Sequence, residues 1–73
     1  MADVERRIEL YLLSFNLVRP YIEQLEVHAP RSDVGLKLHE AIRREISLGL
    51  TDAVKVAENA VRSVQKAYHR NHV

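Results

Sequence analysis

The stretch VERRIELYLLSFNLVRPYIEQL, residues 4–25, decides how the rest of the chain is read. At helical spacing it yields Val4, Ile8, Tyr11, Phe15, Val18, Ile22 and Leu25, at intervals that alternate four and three. That is a heptad-type seam, the pattern that lets one helix face press along a partner helix. A second apolar row, Leu10, Leu13, Leu17 and Tyr21, lies about 120° round the same helix at roughly 100° per residue. A helix with two apolar faces needs two partners, and the reading turns on how many the remaining residues supply.

The first helix is expected over 3–27. Asp3 serves as a cap, and Glu5 sits in the first turn, where the helix dipole favours acids. Pro20 removes a backbone donor and crowds the carbonyl four residues back, so a kink is expected around Val18 to Arg19. The seam keeps its phase across Pro20, which favours one kinked helix over two separate ones. The connection is His28 to Ser32. Pro30 biases Ala29 out of helical geometry, and Ser32 is read as the N-cap with Asp33 in the first turn.

A second helix is expected over 33–48, with Val34, Leu38, Ala41, Ile42 and Ile46 as its apolar face. Gly49 stands where a helix-terminating glycine belongs. Thr51 is read as the next N-cap, again followed by an aspartate. The third helix is expected over 52–69, with Ala53, Ala57, Ala60, Val61, Val64, Ala67 and Tyr68 on one face. A Gly-Leu-Thr turn this tight makes helices two and three spatial neighbours, and the alanines allow another helix to approach closely. The fold class read from this pattern is all-α: a small three-helix domain spanning 1–73, its first helix long and kinked at Pro20.

The totals agree. The 73 residues suffice for one domain, near the lower limit at which an apolar core alone sustains a fold. Apolar residues make up 47% and charged residues 29%, a globular rather than a disordered balance. There is no cysteine, so disulfides and thiolate metal sites are excluded, and a cytoplasmic setting is expected. The longest apolar run, Leu10 to Val18, is broken by Ser14 and Asn16 and is too short to span a bilayer, so no membrane is expected. A net charge of +1 argues against a protein driven onto nucleic acid by bulk charge.

No residue set suggests catalysis. The serines and Thr51 have no neighbouring base in a nucleophile pattern, and the two glycines are isolated, so there is no phosphate loop. The chain is read as no enzyme, with no cofactor and no metal. His69 and His72 have a chelating spacing but no companion carboxylate, while His28 and His39 are read as solvated or capping. Glu45 falls within the apolar arc of helix two. It is read as an edge carboxylate paired with an arginine such as Arg7, or Arg44 of a neighbouring chain, in preference to a buried acid.

Two binding classes are left. Helices two and three outline a helix-turn-helix, but Glu45 replaces the usual small residue, and the would-be recognition helix opens on Asp52. A basic face of Arg62, Lys66 and Arg70 nevertheless makes nucleic-acid binding the second reading. The leading reading is protein binding, because helix one carries more apolar surface than a small hairpin needs, and Leu36 and Leu50 point off their helices' main faces. Leu10, Leu13, Leu17, Tyr21, Arg43 and Arg44 are the candidate contact residues. A homodimer or larger homo-oligomer is the third reading.

A very short, cysteine-free, all-helical, near-neutral chain without a catalytic set resembles the small regulators that bacteriophages encode to bind a host machine, RNA-polymerase inhibitors among them. It also resembles the small helical partner chaperones of secretion systems. The likeness is one of build, with no matched residues. What it implies is a non-enzymatic regulator or adaptor of a larger protein, with no site residue carried over.

Overall fold

The computed structural model describes residues 2–27 and 29–70, with side chains for 4–27 and 29–68. The readings placed on the side chains of Asp3, His28, His69, Arg70 and His72 lie outside the described residues. Three helices make up the fold: α1 (Ala2–Leu25), α2 (Arg31–Ser47) and α3 (Ala53–Arg70). Each packs on the other two. At 1.5 Å per residue α1 is about 36 Å long, against about 26 Å for its partners, and it lies in a molecule measuring 44 × 19 × 16 Å. The helix runs uninterrupted through Pro20, which is exposed, as the unbroken seam requires.

The helix ends show which local signals prevail. α1 stops at Leu25, two residues short of the expected end, and the Glu26 amide closes its last turn on the Ile22 carbonyl at 2.9 Å. α2 starts two residues early. Pro30, at φ −58° and ψ 149°, holds the N-cap position, and its carbonyl accepts the amides of Asp33 and Val34, each at 3.0 Å. Ser32 is therefore inside the helix and makes no cap bond, which corrects the sequence reading. Proline's fixed φ already suits the extended residue that leads into a helix.

At the other end of α2 the amides of Gly49 and Leu50 return to the carbonyls of Ile46 and Glu45, at 3.0 and 3.4 Å. This Schellman closure needs a left-handed residue, and Gly49 provides it at φ 99°. α3 is capped by Asp52 and not by Thr51. The Asp52 Oδ1 accepts the Val54 amide at 3.0 Å, and its carbonyl accepts the Val56 amide at 2.9 Å. A carboxylate there also meets the positive end of the helix dipole.

The core is formed by Val18, Ile22 and Leu25 of α1, by Val34, Leu38, Ala41 and Ile42 of α2, and by Val56, Ala57, Ala60, Val61, Val64 and Tyr68 of α3. Val56 is an addition to the face read from sequence. The α1 seam enters this core only in its C-terminal half. Tyr11 and Phe15 are half-buried, while Val4 and Ile8 remain 56% and 54% exposed. Two causes act together. α1 outruns its shorter partners, and it is turned so that Ser14, fully buried, shares its inner line with Val18 and Leu25.

Polar clasps tie the helices at their margins. The Tyr68 hydroxyl donates to Asp33 Oδ2 at 3.1 Å, and the Lys37 ammonium lies 5.6 Å from the centre of the same ring. Arg44 Nη2 donates to the Ser63 hydroxyl at 2.8 Å. The Tyr11 hydroxyl is hydrogen-bonded to Nδ1 of His39, with the two rings edge to face at 5.1 Å between centroids.

Candidate protein-binding groove

The row Leu10, Leu13, Leu17 and Tyr21 follows the line where α1 meets α3. Leu10 is half-buried against the core, while Leu13, Leu17 and Tyr21 keep 57%, 43% and 43% of their surface. Leu10 and Leu13 wall a depression whose other sides include Ile46, Leu50 and Ala53, over the α2–α3 turn. Leu17 and Tyr21 line a separate open groove of about 320 Å³, bounded on α3 by Val54, Ala57, Glu58, Val61, Arg62 and Gln65. The shape follows from the sequence of α3: small side chains on its inner face bring α1 in close, and the larger leucines of α1 stand up as a wall beside them.

The four apolar candidates thus line two depressions, Leu10 and Leu13 in one and Leu17 and Tyr21 in the other. The two arginines do not join them. Arg43 faces the α1–α2 side, where its charge is felt at Tyr11, and Arg44 faces the α2–α3 side on Ser63. The structure therefore separates the candidate set into an apolar group beside α1 and two arginines at other junctions. Leu36 is 56% exposed, as read, but Leu50 is half-buried against the core rather than pointing away. Of the basic set, Arg62 and Lys66 are exposed on α3, and Arg62 belongs to the groove rim beside Glu58. The Arg70 side chain lies outside the described residues.

Other readings change as well. Glu45 is half-buried and makes no ion pair with Arg7 or another base of this chain among the described residues. The ion pair found there is Glu26–Arg31, at 3.5 Å. His39 is not solvated but half-buried on Tyr11. Burial pushes the Tyr11 phenol up from its ordinary value of 10.0, against the smaller opposing effect of Arg43. Tyr68 is pushed further, to about 12, by burial first and then by its bond to Asp33 and that carboxylate's charge. No group of three or more His, Asp or Glu side chains with metal-binding geometry occurs among the described residues. Nor is any described helix long and apolar enough to cross a membrane.

Sequence reasoning missed Val54 on the α3 side of the groove. Val54 stays 53% exposed and lines the groove with Ala57 and Val61. Val54 lies three residues before Ala57 and seven before Val61, so periodicity could have added it to the edge of the face already read. No protein family matches the chain, and neither the curated proteins nor the solved structures hold a significant match.

Proposed function

We propose that this protein is a non-catalytic regulator or adaptor that takes an amphipathic helix of a larger protein into the α1–α3 groove. The observation that carries the reading is the run of Leu13, Leu17, Tyr21 and Val54, large apolar side chains left exposed side by side along two packed helices. A groove between two helices admits a third whose apolar residues recur at three- and four-residue spacing. The rim offers both signs of charge, Glu58 and Arg62, so the partner helix should flank its apolar stripe with both an acid and a base. On likeness of build, a large host machine such as RNA polymerase is the first partner to test.

A photoreactive amino acid placed at position 17 tests the reading in the native host. One dominant adduct with a larger protein is expected. That protein, once purified, should bind the wild type and lose at least about tenfold in affinity for Leu17→Glu. A purified adduct partner that binds Leu17→Glu as well as the wild type would refute the groove.

A further inference from the structure

We propose that the flank of α1 away from this groove pairs with the same flank of a second copy of the chain, in an antiparallel dimer centred on Leu12. At roughly 100° per residue Leu12 lies about 140° from Leu17, so this is a separate surface, and it does not rest on the groove's function. Its stripe is Glu5, Ile8, Leu12, Phe15 and Arg19, spaced three, four, three and four. Ile8 and Leu12 are 54% and 55% exposed, Phe15 is half-buried, and the two charged ends are exposed.

Charge complementarity selects the occupant and its direction. Glu5 and Arg19 each stand seven residues from Leu12, on opposite sides. Antiparallel pairing about Leu12 sets each Glu5 against Arg19 of the second copy, twice by symmetry, with Ile8 and Leu12 between. Parallel pairing would set like against like.

Sedimentation equilibrium from about 1 μM to 1 mM reads the association directly. The expected result is a species of twice 8.4 kDa at the upper end. Arg19→Glu and Glu5→Arg should each weaken it at least about tenfold, and the two together should restore it. The chain lacks cysteine, so Leu12→Cys adds a single reporter thiol. Mild oxidation should link that variant to itself and leave Leu17→Cys unlinked. All four positions are exposed, and circular dichroism verifies that each variant stays helical. A monomer over the whole range, a charge swap that fails to restore association, or linkage through position 17 ahead of 12 would overturn the proposal.

Discussion

Among the described residues, Ser14 is the polar side chain that is fully buried, and its hydroxyl has no hydrogen-bond partner. A buried unpaired hydroxyl is costly, and serine is a poorer helix former than alanine. Ser14→Ala is therefore expected to raise stability by about 1 kcal/mol in urea unfolding. A loss of similar size would mean that the hydroxyl is paired. Phe15 is only half-buried, so Phe15→Ala should cost about 2 kcal/mol, less than the 3–5 of a fully buried ring. Tyr68 makes a pH prediction. Its folded value of about 12 lies above the ordinary 10.0, so the fold favours the neutral phenol. The stability this contributes is whole below pH 10 and is lost as pH rises from 10 toward 12. Tyr68→Phe should flatten that fall in a base titration of unfolding, and an unchanged profile would assign it to other groups. Phe15 and Tyr68 were legible as members of apolar faces, but the burial of Ser14 and the polar partners of the tyrosines were not. Ser14 sits one residue from Phe15 in an apolar run, and Tyr11 and His39 meet across 28 positions.

Periodicity located all three helices, because each must bury a stripe, and stripes survive local irregularities such as Pro20. Their ends were legible only in part, because candidate caps stand side by side at Pro30, Ser32 and Asp33, and again at Thr51 and Asp52. Backbone geometry decides between such neighbours, through which oxygen reaches the second or third helical amide. The observed cap predicts that Asp52→Ala costs about 1 kcal/mol while Thr51→Ala stays within about 0.5 kcal/mol, measured by thermal unfolding. Equal costs would return the cap to Thr51. Gly49 was legible because a left-handed residue after a helix is so often glycine. With φ at 99°, Gly49→Ala is expected to cost about 1–2 kcal/mol, although a methyl group there would meet open space.

Burial is a property of the whole molecule, and here sequence reading reached its limit. The period fixes which side chains share a face of α1. It does not fix which face the other helices cover, since that depends on their lengths and on the rotation that puts Ser14 inside. The seam through Val4 and Ile8 looked like core and is half open; the row through Leu13 and Leu17 was read as a candidate contact surface, and both leucines are exposed. The apolar candidates Leu10, Leu13, Leu17 and Tyr21 line depressions beside α1, whereas Arg43 and Arg44 lie at other helix junctions. Neighbours in sequence on a helix lie about 100° apart and here serve two different junctions. The nucleic-acid alternative keeps a test at this scale. Phosphate contacts by Arg62 and Lys66 would give a salt slope near −0.9 per contact, and no DNA or RNA binding at low salt would retire it.

The proposed function requires that the Leu13–Tyr21 row be a recognition surface outside the core. The measurement that bears on it most directly is a paired one on the Leu13→Glu/Leu17→Glu variant: thermal unfolding by circular dichroism, and affinity for the purified partner captured at position 17. The expected result is a helical protein that melts within about 5 °C of the wild type, with partner binding reduced by at least about a hundredfold. Loss of the helical fold, or a folded variant that binds as tightly as the wild type, would contradict it.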